Sequence, residues 1–333
     1  MNTPGKIGIA TGIFAAYLAA PAVIGGLTYH FAFKRNGIQT SKKVYDIIGR
    51  VQKSRSAKNQ AETGTQEEKA PPVNIYREAA NWFIKADREN VFLQSGLDNK
   101  KIHAYIIEQP EKSDKWLYTM HGFTGSPIDM ALVAKEFFEK GYNILAVSMR
   151  GHALSSDDRN SMGYLDAKDA VQWIDYILEK TPDAKIVLHG MSMGASACMM
   201  TLGEDLPDNV KCAIEDCGFA RCQEQNIGVA EQFIGKPARL FGMYLNGVMK
   251  ALRGYDMTDI NPINCVRASK IPVFFIHGEK DEVVPVKNVY ELYEACPTEK
   301  GMLVVPGAKH TMASVNGYED YFGRAFEFAG KYI

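Results

Sequence analysis

The sequence has no excess of either charge. Lysine and arginine total 38 against 39 acidic residues, which leaves a formal net charge of −1 at pH 7 over 333 residues. This balance gives no long-range attraction for a polyanion, so we expect no nucleic-acid partner. An apolar fraction of 46% is ordinary for a globular protein, and the chain is long enough to bury one sizeable core.

Cysteine is scarce. Six cysteines in a chain of this size do not imply a disulfide framework, and reduced thiols are the expected state. Cys212, Cys217 and Cys222 are evenly spaced, but more widely than the ligand pairs of structural zinc sites. The sequence therefore predicts neither a metal site nor an organic cofactor.

Charged side chains are absent from residues 7–33, a run longer than the ~20 residues that a helix needs to cross a bilayer. We interpret residues 1–35 as an N-terminal transmembrane helix and single-pass membrane anchor. The alternative is a cleaved signal peptide, whose apolar region usually spans only ~7 to 15 residues. Small residues such as Ala19 and Ala20 leave cleavage open.

The basic residues around this run predict its orientation. More of them follow the run than precede it, which by the positive-inside tendency places the folded domain in the cytoplasm. Many proteins with one N-terminal helix keep a short amino terminus inside, so the opposite side stays open. Lys6 precedes the run, and Lys34, Arg35, Lys42, Lys43 and Arg50 follow it.

Large apolar residues are nearly absent from residues 54–72. A segment of this kind cannot offset the entropy lost on ordering, so we interpret residues 36–72 as a tether that is first basic and then disordered. The folded domain is expected over residues 73–333. No internal repeat interrupts it.

Short apolar runs alternate with amphipathic helical patterns through this domain, which is typical of an α/β fold with a mainly parallel sheet and helices on both faces. The clearest helix is predicted over residues 166–180, where Val171, Ile174 and Ile177 or Leu178 recur at helical spacing. An early strand is expected at 101–107, and further strands at 116–120, 143–149, 185–190, 212–216, 273–278 and 302–305.

A G-x-S-x-G pattern follows one of these strands and precedes a helix of small residues. Ser192 is its serine, and Gly190 and Gly194 flank it. A serine on a sharp strand-to-helix turn is held exposed, and the glycines allow neighbouring backbone to approach closely. The pattern in this context predicts a nucleophile elbow.

A serine nucleophile needs a base, and the chain offers only seven histidines. His310 follows the last predicted strand, at the sheet edge where catalytic loops converge. The imidazole in turn needs a carboxylate. Asp281 fits best, because the order Ser, Asp, His matches the hydrolase arrangement. The rival acids stay open at this point: Glu279, Glu282 and Asp216.

The oxyanion of an acyl-transfer intermediate needs donors as well. One should be the backbone N–H of Met193, directly after the serine. The second should be the N–H of Phe123, in the glycine-rich loop that follows the strand at 116–120.

Five motifs together resemble the α/β-hydrolase superfamily, and within it the bacterial serine aminopeptidase-like group of hydrolases, some of which carry an N-terminal membrane segment. The resemblance covers about residues 76–333 and implies the same roles: nucleophile Ser192, acid Asp281, base His310 and the two backbone donors. The motifs are H-G-F at 121–123, R-G-H at 150–152, G-M-S-M-G at 190–194, H-G at 277–278 with Asp281 and Pro285, and Gly307 before His310.

One motif departs from the family pattern. The family often reads D-x-R-G-H-G-x-S, whereas this chain has Ser148 in place of the acid and Ala153 in place of the second glycine. The departure puts the local turn geometry in doubt and leaves the predicted triad untouched.

More than fifty residues separate the strands at 212–216 and 273–278, too many for a simple crossover, so we expect an inserted helical lid over about residues 218–265. Apolar residues recur in it at helical spacing and either pack the lid onto the domain or line a pocket for an apolar group. They are Phe233, Ile234, Leu240, Phe241, Met243, Tyr244, Leu245, Val248 and Met249.

These features predict a serine hydrolase that acts through an acyl-enzyme on a small ester, or on a peptide or amide. Carboxylic esters are the first choice, because an alkoxide leaves more easily than an amine. Acyl transfer to an alcohol uses the same residues. Folds of this kind also serve as non-catalytic binding modules, against which the complete set of triad residues argues.

Overall fold

The computed structural model describes residues 74–333. The predicted anchor (residues 1–35) and tether (residues 36–72) lie outside this part of the chain. Within residues 74–333, none of the helices combines the length and the apolar character that crossing a bilayer requires.

A mainly parallel sheet forms the centre of the described region, as the sequence predicts. Its strand order is β1-β2-β4-β3-β5-β6-β7-β8. β1 pairs antiparallel with β2, β2 pairs antiparallel with β4, and the remaining neighbours are parallel. The strands are β1 (Glu89–Gln94), β2 (Lys101–Ile107), β3 (Lys115–Met120), β4 (Asn143–Ser148), β5 (Lys185–Met191), β6 (Val210–Asp216), β7 (Val273–Gly278) and β8 (Lys300–Val305).

The central strands follow from continuous apolar runs. Every residue of β4 and of β7 is buried, because helices cover both faces of a parallel sheet. The edge strand β1 has no such run, since only one of its six residues is buried, and its sequence does not predict it. Because β3 to β8 are parallel, their carboxyl ends lie at one edge of the sheet, and the polar loops that follow them lie there too.

Helices pack on both faces of this sheet. Trp173, Ile174 and Ile177 of α3 enter one core cluster, and helices α1, α2 and α10 supply apolar residues to the other. The helices are α1 (Asn74–Lys85), α2 (Ala131–Phe138), α3 (Tyr164–Lys180), α4 (Met193–Thr201), α5 (Cys222–Ile234), α6 (Ala238–Arg253), α7 (Pro262–Ala268), α8 (Lys287–Ala295), α9 (Ala313–Asn316) and α10 (Tyr318–Gly330), with a 3-10 turn at Pro127–Met130.

Helices α5, α6 and α7 occupy the segment interpreted as the lid. Along α6, Leu245 and Met249 are buried in the core, whereas Leu240 and Met243 are 58% and 66% exposed. Tyr244 is exposed as well. The predicted apolar stripe is thus divided between an inner and an outer face of this helix. The side chains of three further members lie outside the described part: Phe233, Ile234 and Phe241.

Candidate active site

Ser192 stands on the sharp turn between β5 and α4. Its backbone has a φ of +57°, and its N–H donates a hydrogen bond of 2.8 Å to the carbonyl of Asp216. A Cβ on Gly190 would collide with the carbonyl of Gly194, and a Cβ on Gly194 would collide with the carbonyl of Met120. Both glycines are therefore required by close backbone approach, which is the geometry that the G-x-S-x-G pattern predicts.

His310 and Asp281 meet Ser192 from the loops after β8 and β7. The Ser192 hydroxyl lies 2.9 Å from His310 Nε2, and His310 Nδ1 lies 2.6 Å from Asp281 Oδ2. The other carboxylate oxygen of Asp281 accepts backbone N–H bonds of 2.9 Å from Val283 and 2.8 Å from Val284. The Asp281 side chain is fully buried, and that of His310 is 19% exposed. These bonds orient the carboxylate toward Nδ1 and leave Nε2 facing the Ser192 hydroxyl.

The three rival acids have other positions. Asp216 Oδ2 accepts a hydrogen bond of 3.1 Å from the Tyr321 hydroxyl, and burial raises the pKa of Asp216 to about 7. Glu279 accepts the backbone N–H of Gly307 at 3.0 Å, and Glu282 is exposed. Of the four candidate acids, Asp281 is the one hydrogen-bonded to His310.

The loop that holds Phe123 packs directly against Ser192. A Cβ built on Gly122 would lie 3.4 Å from Ser192 Cβ. His121 fixes this loop: its Nδ1–H donates to the Gly122 carbonyl at 2.9 Å, and its Nε2 accepts the Met149 N–H at 3.1 Å. Burial lowers the pKa of His121 to about 3, which keeps the ring in the neutral form that this pairing requires. Phe123 and Met193, the predicted oxyanion donors, thus belong to the two segments that meet at Ser192.

His121 acts through the loop, and the H-G-F motif at 121–123 does not by itself specify this role. The His-Gly pair at the end of β3 is the signal that marks it. His189 and His277 end β5 and β7 in the same way and are also fully buried. A His-Gly pair therefore indicates a buried histidine at the end of a strand. Whether that histidine also holds an active-site loop depends on the hydrogen bonds that its ring makes.

The departure at Ala153 leaves the turn after β4 intact. Ala153 adopts a φ of +40°, the left-handed region that favours glycine. Arg150 in the same turn is 1% exposed and is held by Asp98 at 2.8 Å, Asp157 at 3.2 Å and Asp169 at 2.6 Å. The ion pairs of Arg150 anchor the same turn in which Ala153 adopts a strained backbone.

Strained backbone gathers around Ser192. Of the loops at the carboxyl ends of the parallel strands, we call those that follow β3, β5, β6, β7 and β8 the carboxyl edge, and we treat the loop after β4 separately. Non-glycine residues with positive φ lie in four of these loops: Thr124 at +60°, Ser192 at +57°, Cys217 at +52° and Thr311 at +62°. Such conformations persist only where the surroundings over-determine them, and they concentrate at functional sites. The sequence gives no signal for the three besides Ser192.

One group at this edge has the composition of a metal site. The Cys217 sulfur, an Asp281 carboxylate oxygen and a His310 ring nitrogen all lie within 4.8 Å of one another. All six cysteines are free thiols. Burial and the neighbouring charges of Asp216 and Asp281 raise the pKa of Cys217 well above its usual range. The thiol is therefore protonated and takes no part in the Ser192–His310–Asp281 relay.

Comparison with known proteins agrees with this architecture. The model of the prolyl oligopeptidase family matches residues 130–333, more than half of the chain. The uncharacterized protein YqkD of Bacillus subtilis is 24% identical over 234 residues, 70% of this chain and 75% of that protein. The α/β hydrolase domain-containing protein WAV2 of Arabidopsis thaliana is 24% identical over 254 residues, 73% of this chain and 79% of that protein.

A solved structure gives the same fold. The esterase Pf2001 of Pyrococcus furiosus superposes with a TM-score of 0.61 at 24% sequence identity, covering 75% of this chain and 94% of the esterase. This confirms the predicted α/β-hydrolase fold, and the family model and the WAV2 match confirm the resemblance to that superfamily.

Proposed function

Because the chain belongs to the prolyl oligopeptidase family of α/β hydrolases and is a serine hydrolase, we propose that it hydrolyses carboxylic esters that carry an apolar group, through an acyl-enzyme on Ser192. The hydrogen-bonded relay from Ser192 through His310 to Asp281, at 2.9 and 2.6 Å, is the observation that carries this proposal.

The reaction follows from the direction of these hydrogen bonds. Ser192 Oγ attacks the ester carbonyl while His310 Nε2 takes its proton, and Asp281 stabilises the imidazolium that forms. The N–H groups of Met193 and Phe123 stabilise the oxyanion. His310 then protonates the departing alkoxide. Water repeats the sequence on the acyl-enzyme, which releases the carboxylic acid and restores Ser192.

The surroundings of the site favour an apolar group. Phe123 packs against the core cluster that contains Met193, and the half-buried Val248 of α6 packs against the same cluster. Leu245 and Met249 join it from the lid. An acyl chain that the enzyme buries against such apolar residues would gain about 0.8 kcal/mol for each CH₂ group removed from water.

Peptide or amide hydrolysis is the second candidate, and the family itself favours it, since the matching model is that of the prolyl oligopeptidases. The same relay serves both reactions. An amide needs a better-positioned proton donor for the departing amine, because an amine is a poorer leaving group than an alkoxide.

The test uses the full-length chain and a fluorophosphonate probe, beside Ser192→Ala and His310→Ala. Ser156→Ala is the matched control, because Ser156 is an exposed serine in a loop that supplies none of the proposed catalytic residues. We expect labelling and p-nitrophenyl ester hydrolysis in the parent and the control, and neither in the two triad variants. A well-folded parent that the probe does not label would overturn the assignment of Ser192.

Substrate class is tested on the same preparations. We expect kcat/KM for p-nitrophenyl octanoate to exceed that for the acetate by about tenfold or more, because the longer chain buries more apolar surface. Aminoacyl and prolyl p-nitroanilides are compared at equal concentration. Faster cleavage of an anilide than of every ester favours the peptidase candidate instead.

We also propose that residues 1–35 anchor the enzyme in a membrane, that residues 36–72 tether it, and that residues 218–265 form a lid over Ser192. The uncharged run at 7–33 supports the anchor. Full-length chain should stay in the membrane fraction after carbonate extraction, and a chain that begins at residue 73 should not. Protease accessibility in right-side-out and inverted vesicles tests the cytoplasmic placement of the domain.

A further inference from the structure

A thiol lies beside Asp281 and His310, on the side of the relay away from Ser192. Cys217 directly follows β6, is 1% exposed, and has its N–H bonded to the Ile276 carbonyl at 2.9 Å. Its sulfur lies within 4.8 Å of both the Asp281 carboxylate and a ring nitrogen of His310. The backbone bond and the positive φ of Cys217 hold the sulfur at this position. Hydrolysis requires no thiol there.

The two nitrogens of His310 face different partners. Nε2 faces Ser192 at 2.9 Å, and Nδ1 faces Asp281 at 2.6 Å. A cation held between the Asp281 carboxylate and the Cys217 sulfur therefore takes the nitrogen on the same side, Nδ1. It replaces the proton through which Nδ1 now bonds to Asp281.

These three ligands suit a thiophilic divalent ion. Thiolate, imidazole and carboxylate are the donors that Zn²⁺ uses in proteins, at about 2.0 to 2.3 Å, which places the ligand atoms of a tetrahedral site about 3.5 Å from one another. Donor atoms already within 4.8 Å reach that geometry by small side-chain movements.

We propose that Cys217, Asp281 and His310 form an inhibitory site for Zn²⁺ or a cation of the same thiophilic class. When the ion binds, the Cys217 thiol loses its proton to solvent, and the imidazole proton moves from Nδ1 to Nε2. A water molecule completes the coordination. Nε2–H then has no lone pair with which to accept the Ser192 proton, so the nucleophile is not activated.

This mode of inhibition has a kinetic signature. The ion occupies none of the space that the substrate needs at Ser192 or at the oxyanion donors, so kcat should fall while KM stays the same. We expect turnover at saturating Zn²⁺ to fall by about 100-fold or more, because the base is withdrawn from the relay. EDTA should restore the rate. Mg²⁺, which avoids thiolate ligands, should have no effect.

The inhibition rests on the proposed function, whereas binding of the ion does not, so the two are measured separately. Binding is measured with Cd²⁺ alone on the full-length chain, by the ultraviolet sulfur-to-cadmium charge-transfer band. The parent and Ser192→Ala should both show a one-equivalent titration. Cys217→Ser should lose the band, and His310→Ala should weaken binding by about tenfold or more, a typical effect of removing one ligand.

Cys222→Ser is the matched control, because Cys222 is also a fully buried thiol but does not belong to the ligand group. It should keep both the cadmium band and the inhibition. Zinc inhibition is expressed as the ratio of rates with and without the ion, so that a changed basal rate cancels. This ratio should approach one in Cys217→Ser. Cys217→Ala replaces it if the serine variant does not fold, as judged by circular dichroism.

Two results overturn the site. One is a parent chain without a cadmium band, and the other is a folded Cys217 variant that Zn²⁺ inhibits as strongly as the parent. A parent that binds Cd²⁺ at Cys217 but hydrolyses no ester or amide overturns the proposed function and leaves the metal site standing.

Discussion

The carboxyl edge and the lid segment (residues 218–265) differ in which residue types adopt a backbone with positive φ. At the carboxyl edge, one residue with positive φ is a glycine, Gly307, and the other four are not: Thr124, Ser192, Cys217 and Thr311. In the lid segment the positive-φ residues are Gly235 and Gly254, for which this conformation is unstrained. Strain of about 1 to 3 kcal/mol at each non-glycine position has to be offset by surrounding contacts.

Those contacts are present at the edge. Ser192 and Cys217 have backbone N–H groups bonded to the neighbouring strands, and the Asp281 carboxylate accepts two further N–H bonds. The lid segment instead combines buried residues such as Met249 with exposed apolar ones such as Met243. Hydrogen bonds therefore hold the edge in one geometry, whereas the lid segment is held by apolar packing along one face of α6.

The largest effect is expected where the edge orients the histidine. Asp281→Asn should lower kcat by about 10⁴-fold, since the amide no longer selects the productive tautomer of His310. Asp216→Asn is the matched variant, because Asp216 is equally buried yet bonds to Tyr321 and not to His310. It should lose less than about tenfold, and steady-state ester hydrolysis at fixed pH measures both. A greater loss in Asp216→Asn than in Asp281→Asn would show that the wrong carboxylate has been assigned.

The second prediction compares an ion-pair network beside the edge with one on the lid. Arg150→Met should lower the free energy of unfolding by about 3 to 5 kcal/mol, because Asp157 and Asp169 are left buried without their cation. Arg239→Met removes the partner of Glu231, but Arg239 is 78% exposed. That change should cost less than about 0.5 kcal/mol. Urea unfolding of both variants measures the difference, and equal losses would contradict the contrast.

The third prediction concerns pH, to which the edge responds through His121. Burial lowers the pKa of His121 to about 3 from 6.5, so the unfolded chain binds this proton at a higher pH than the folded chain does. The contribution of His121 to stability is therefore lost as pH falls below about 6.5, by about 1.4 kcal/mol for each pH unit. The lid segment contains no histidine.

His121→Gln isolates this effect. The stability advantage of the parent over the variant should shrink by about 2 kcal/mol between pH 6.5 and pH 5. Urea unfolding at several pH values provides the measurement. An advantage that stays constant over this range would mean that His121 is already protonated in the folded state or accessible to water.

The central sheet was predictable because its strands are continuous apolar runs, each of which is followed by a turn. Ser192 was predictable for a related reason, since two glycines and a preceding strand mark its turn. Asp281 was less determined, because Asp216 also ends a strand, and only the hydrogen bond to His310 separates the two.

Other features depend on how the strands align. Cys217 reaches the relay because Asp216 pairs with Ile276 across β6 and β7, which fixes where the chain leaves the sheet. No local sequence pattern predicts the register in which β6 pairs with β7. Strand β1 was not predicted for a different reason. Five of its six residues are not buried, so its sequence contains little of the apolar pattern that marks a strand.

The smallest expected effect lies on the lid and tests whether its inner face recognises substrate. Val248 packs against the cluster that includes Met193, whereas Met243 on the same helix is 66% exposed. Val248→Ala should raise KM for p-nitrophenyl octanoate by about fivefold, which corresponds to about 1 kcal/mol of lost burial. It should leave the acetate unaffected, because a short acyl chain has little apolar surface to bury. Met243→Ala should change neither substrate, and equal changes in both variants would mean that the lid acts on stability and not on substrate choice.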